Sequence, residues 1–242
     1  MATVLKVFPN IDKYHCNLVN LYVIGKTEDE KVFDYQVVEL KRLIKAFNPR
    51  EVIIDINGIG VNFGDAMIKP TLDPLTGETL PAYGFFNRDE YDLIQPRNAI
   101  KILYGIKATS TINSDMHSAL YSAVYSGAIK FLISEKKAKD KLMATKVGRK
   151  MSPEKRIERL MPHELTSILI NEIMNLKTKP TGVENKIAIE PINKRMTHDK
   201  FSALEMGVYR MFLLEQEEMS HRRNRGLGGR RLTFFRHGGA KD

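Results

Sequence analysis

The sequence predicts an α/β domain with a partly parallel sheet, and three observations predict it. A β-branched run, Val52-Ile53-Ile54, ends in Asp55 and passes at once into Asn57, Gly58 and Gly60. This is the pattern of a strand buried on both faces that runs out into a glycine-permitted turn. An amphipathic stretch and, before it, a β-rich segment precede this run, and strand, helix and strand in that order imply a crossover onto a parallel neighbour. The chain has 242 residues, enough for one α/β domain with a substantial core.

Taken in order, residues 3–8 and 16–25 are two apolar, β-rich runs around a polar loop from Pro9 to His15, which reads as a hairpin. Asp34 is placed to cap a helix whose Val37, Val38, Leu40, Leu43, Ile44 and Phe47 share one face. Asn48-Pro49 ends it, because the residue before proline avoids the α region. Beyond Asp55, residues 61–69 suit a short helix with Asp65 in its middle, and a turn-rich LDPLTGETLP precedes a short strand from Ala82 to Phe86. Residues 113–127 form a helix with Met116, Leu120, Ala123 and Val124 on its apolar side, and His117 on it reads as structural. A brief strand over 129–133 follows. The basic stretch 136–164 is interrupted by Gly148 and Ser152-Pro153, which gives two helical segments around a loop, the second continuing over 164–176. A loop over 179–185 leads to a strand over 186–192, and a last helix runs from Asp199 to about Met219.

Composition narrows the function. The formal charge is +9, which favours a polyanionic partner, nucleic acid first. One cysteine, Cys16, cannot form an internal disulfide, and no Cys/His spacing suits zinc. No apolar run is long enough to cross a bilayer and no signal peptide is legible, so a cytoplasmic setting is expected. GxGxxG, GxxxxGK[ST] and nucleophile-elbow patterns are missing from the sequence. From Arg222 onward arginine and glycine dominate, so residues 1–221 read as the folded domain and 222–242 as a basic tail.

Two acids stand out. Asp55 ends a strand, where ligands of open α/β sheets bind. Asp199 opens a helix beside His198, where it can cap free amides or, if it meets Asp55 at one sheet edge, share Mg²⁺ or Mn²⁺. Two such ions can activate water and stabilise the leaving oxygen in phosphodiester cleavage. Lys194, Arg195, Lys200, Arg222, Arg223 and Arg225 are the candidate DNA contacts.

The succession VIIDINGIG, GDAM, PAYGFFN, NSDMHSALYSAVYSGAIKFL and HDKFSALEMGVYRMFL resembles the nuclease domain of the large terminase subunits of tailed bacteriophages, from about Ala2 to Glu218. The resemblance implies a ribonuclease-H-like fold, a mixed central sheet flanked by helices. It also implies two-ion, Mg²⁺- or Mn²⁺-dependent cutting of concatemeric double-stranded DNA in the host cytoplasm. Its partners would be a packaging ATPase domain or chain, a small terminase subunit and a portal. Asp55 and Asp199 match the family's second and third catalytic acids, with His198 as a neighbouring catalytic candidate. The strand that carries the first acid is expected to be missing before MATVLKV, since Asp12 lies in the hairpin loop. Ser202 stands where many relatives carry a further acid. Low activity alone, an open sheet edge, and restoration by a separate chain supplying the strand are therefore expected. The alternative is a non-catalytic DNA-binding or assembly module.

Overall fold

A computed structural model gives the fold, and it describes residues 1–10, 13–25, 32–180, 186–193, 195 and 197–228. In chain order the first elements are β1 (Ala2–Phe8), β2 (His15–Tyr22), α1 (Val32–Phe47), β3 (Val52–Asp55) and α2 (Ile59–Met67). Next come β4 (Thr71–Leu72), β5 (Thr79–Leu80), β6 (Tyr83–Phe85), β7 (Ile100–Ile106), α3 (Ser110–Tyr125) and β8 (Ile129–Lys130). The chain continues through α4 (Glu135–Ala144), α5 (Lys146–Lys150), α6 (Pro153–Met174), β9 (Leu176–Pro180), β10 (Ile187–Pro191) and α7 (Asp199–Gly228).

The expected first hairpin forms, with β1 antiparallel to β2. Its register shifts at Val19, which opposes no residue of β1. The bulge changes the strand's parity, so that Cys16 and Leu18 reach the core before it and Leu21 reaches the core after it. β8 adds parallel to β2 and completes a mixed sheet in the order β1-β2-β8. Over this sheet α3, α6 and α7 bury Leu120, Leu169, Phe201, Leu204, Val208 and Met211.

The second three-stranded sheet, β3-β7-β6, is wholly parallel. Ile54, Leu103 and Phe85 are buried there against Val37 and Ile44 of α1 and Met67 of α2, as expected of parallel strands covered by helices. Lys41 of α1 is also fully buried. Its Nζ donates to Thr71 Oγ1 and Pro81 O, each at 3.0 Å, and to Lys69 O. Burial pulls its pKa down to about 8.

The molecule is thus mixed α/β, with seven α-helices among the described residues and both a mixed and a parallel sheet. The single central sheet implied by resemblance is seen here as two sheets, whose β1 and β3 edges do not pair with each other. No helix among the described residues is long and apolar enough to cross a membrane.

Several elements differ from the sequence reading. β7, the middle strand of the parallel sheet, occupies Ile100–Ile106, a stretch to which that reading assigns nothing. The turn-rich 72–81 segment is itself a small hairpin, β4 with β5. α1 begins at Val32, so Asp34 lies in its first turn rather than at its cap. The basic arm holds three helices, because Gly148 lies within α5 and Ser152 caps α6. Lys179 belongs to β9, and the rest of the expected 179–185 loop, residues 181–185, lies outside the described residues. α7 continues past Met219 to Gly228, so Arg222 to Gly228 have helical backbone. The remainder of the expected tail, 229–242, lies outside the described residues.

Candidate functional site

Asp55 closes β3 as expected, with its side chain exposed. Its Oδ1 accepts the Asn57 amide at 3.0 Å, the local turn that aspartate favours. Two neighbours fix this turn. Asn57 Nδ2 donates to Ala108 O at 3.2 Å. Gly60 packs so closely that a Cβ there would stand 2.0 Å from the Asp55 carbonyl oxygen. In register, Asp55 lies opposite Ile106, the last residue of β7. Thr109, shortly after, caps α3 by accepting the Ile112 amide at 3.3 Å.

Asp199 is the first residue of α7 and is exposed. The cap it was expected to supply comes from elsewhere. Glu172, fully buried on α6, accepts the Lys200 and Phe201 amides on Oε2 at 3.0 and 2.9 Å. Two otherwise orphaned amides of the helix terminus are satisfied in this way, and the helix dipole favours the carboxylate. Among the described residues the Asp199 carboxylate makes no hydrogen bond of its own. It stands near the Met1 ammonium, whose pKa is lowered by burial while Asp199 acts to raise it. His198 is exposed, and its carbonyl accepts the Ser202 amide at 2.9 Å and the Ser202 hydroxyl at 3.1 Å.

α3 and α7 meet two turns in from their amino ends, where His117 Nδ1 contacts Glu205 Oε1. The structural role expected of His117 fits this contact. Glu205 is buried on the α7 face that carries Leu204 and Val208, and the sequence reading did not single it out. Burial pushes its carboxyl pKa up, while His117 and the charge of His198 act to lower it. Because α3 follows the end of β7 beside Asp55 and α7 opens at Asp199, both acids lie toward the amino ends of two packed helices. Asp65 of α2 lies near the Tyr91 hydroxyl, whose pKa is raised by burial first and then by this carboxylate.

The basic candidates divide. Lys200 is engaged, its Nζ 2.9 Å from Glu172 Oε1. Arg195 is exposed, with its amide on Asn193 Oδ1 at 3.1 Å. Arg222 Nε reaches Glu218 Oε1 at 3.0 Å from a half-exposed position. Arg223 and Arg225 lie on the helical backbone of α7, with side chains outside the described residues. Lys194 lies outside them altogether.

A pair of divalent ions requires several carboxylate oxygens around it. Among the described residues no group of three or more His, Cys, Asp and Glu side chains stands together to hold a metal. The described residues therefore do not by themselves fit a complete two-ion centre. Comparison with protein-family models, curated proteins and solved structures finds no match to this chain.

Proposed function

We propose that this chain is a nuclease domain of the terminase large-subunit type, with Asp55 and Asp199 as two carboxylates of a Mg²⁺- or Mn²⁺-dependent site for double-stranded DNA. The observation that carries the reading is the capping of α7 by Glu172, which removes the structural duty that would otherwise explain Asp199. An exposed aspartate with no capping role, taken together with an exposed strand-ending aspartate, suits a hydrolytic metal site. Mixed and parallel sheets covered by helices support the α/β class to which a ribonuclease-H-like fold belongs. The net charge of +9 suits DNA. A packaging ATPase, a small terminase subunit and a portal are the partners this reading brings, in the cytoplasm of a host cell.

The site is incomplete in this reading, so the chain alone cuts weakly or not at all. A second reading, a DNA-binding or assembly module without catalysis, is favoured by the lack of a three-residue metal cluster among the described residues. Plasmid nicking in Mn²⁺ separates the two. Weak nicking that vanishes in both Asp55→Asn and Asp199→Asn supports the nuclease. Salt-sensitive DNA binding with no nicking, and with no response to either substitution, supports the module.

A further inference from the structure

We propose that the basic arm formed by α4, α5 and the first half of α6 is a docking surface for an acidic helix of another protein, whose apolar side chains enter a cavity between the three helices. The cavity measures about 490 Å³ and is walled by Ala138, Leu142, Val147 and Leu160, with Lys141 and Arg159 also lining it. An apolar cavity of about 150 Å³ holds a benzene ring, so this one has room for two bulky side chains together. Short links hold its walls in place. Thr145 Oγ1 accepts the Gly148 amide at 2.9 Å and donates to Leu142 O at 2.8 Å, and Gly148 lies so near the Leu142 carbonyl that no side chain fits there. Arg156 Nε donates to Met151 O at 2.9 Å across the corner between α5 and α6. His163 Nδ1 donates to Ile133 O at 2.8 Å and so ties α6 to the segment that enters α4. The space between the helices is thus part of the folded arm, which spares a ligand the cost of ordering it.

Charge and wall chemistry together select the occupant. Residues 135–159 carry ten lysines and arginines against four acids, so most of the chain's net charge of +9 lies on this arm. Among the described residues none of those ten cations forms an ion pair. Such a field attracts a polyanion. Duplex DNA is served by the cations alone, and single strands are held by stacking on aromatic rings. This cavity has aliphatic walls and no Phe or Tyr among its lining residues. Val147 in its wall is 71% exposed, and Ile157, one turn before Leu160 on α6, is 60% exposed. An apolar centre inside a charged rim is the layout of a protein–protein interface, and a cationic rim selects carboxylates. An amphipathic helix supplies both, with two apolar residues at i and i+4 and acids on either side of them.

Leu160 and Glu172 stand twelve residues apart on α6, about 18 Å along its axis. The docking surface is therefore separate from the opening of α7 and does not rest on the nuclease reading.

The test titrates the full chain into a fluorescein-labelled helical peptide of about fifteen residues, with leucine and phenylalanine four positions apart and glutamates on either side, and reads anisotropy. Micromolar binding is expected. It weakens about tenfold when Lys141→Glu and Arg159→Glu are combined, and about thirtyfold when both apolar residues of the peptide are alanine. A peptide with lysine in place of each glutamate is expected to bind the doubly substituted chain roughly tenfold better than the native one. Both substituted positions are exposed, and that exchange of preference requires a folded arm. No binding up to about 1 mM peptide, or binding that ignores the substitutions, overturns the proposal. Equal binding of the alanine peptide reduces the arm to a charged face and overturns the role of the cavity. Duplex DNA that displaces the peptide, and itself loses affinity in the same double substitution, overturns the occupant in favour of nucleic acid.

Discussion

Glu172 and Lys200 are joined twice, Oε2 taking the lysine amide at 3.0 Å and Oε1 its Nζ at 2.9 Å. The start of α7 is therefore built by α6. Replacing Glu172 by leucine is expected to cost about 2–4 kcal/mol, because it strips buried amides and a largely buried ammonium of their partner. Asp199→Asn is expected to change stability by less than about 0.5 kcal/mol, as for an exposed position. Urea denaturation of both variants checks this. Equal losses would make Asp199 part of the cap.

Gly60→Ala forces a Cβ onto the Asp55 carbonyl at 2.0 Å. The backbone of the β3–α2 turn must move, and about 2–3 kcal/mol of stability is expected to go with it. Gly58→Ala meets open space but at a φ of +52°, which costs about 1–2 kcal/mol. Thermal denaturation is expected to rank Gly60→Ala as the more damaging of the two.

Arg210 is buried between Glu51 and Glu217 at 2.7 Å from each, with its guanidinium 4.2 Å from the Tyr104 ring centre. Burial opposes its charge, and the two carboxylates more than offset this, so its pKa is raised. Arg210→Met leaves Glu51 unpaired and is expected to cost about 3–5 kcal/mol. Adding Glu51→Gln is expected to recover part of that loss, so a double-mutant cycle reads strong coupling. Additive losses would mean that the pair does not tie α7 to β3.

Asp73 holds the β4–β5 turn to α1, with Arg42 Nε on its Oδ2 at 2.8 Å and the Leu75 amide on Oδ1 at 2.8 Å. Arg42, first, and the Leu75 and Thr76 amides hold its carboxyl well below the usual carboxylate range. A depressed folded pKa means that its stabilisation is complete above the unfolded value of 3.8 and is lost as pH falls from there through the folded value. The stability difference between the native chain and Asp73→Asn is therefore expected to be constant near neutrality and to shrink below the unfolded value. A pH-independent difference would contradict the assignment.

The strand at Asp55, the apolar stripe Phe201-Leu204-Val208-Met211 and the helix opening at Asp199 were legible because each is a local pattern. β7 was not, because Lys101 interrupts its apolar run and its central place depends on pairing with β3, distant in sequence. Glu172, Glu205 and Lys41 were not either. Periodicity counts apolar residues and treats a charged one as solvent-facing, whereas these three are buried by partners brought from other elements. The division of the β1-β2-β8 and β3-β7-β6 strands into separate sheets is likewise a non-local fact, set by which strands pair across the fold.

The most direct measurement is the position of Mn²⁺ in crystals soaked in that ion. Anomalous density is expected at a site contacting one carboxylate oxygen from Asp55 and one from Asp199, each at about 2–2.3 Å. Density on only one of these acids, or on neither, would contradict a shared metal site and leave the chain as a DNA-binding or assembly module.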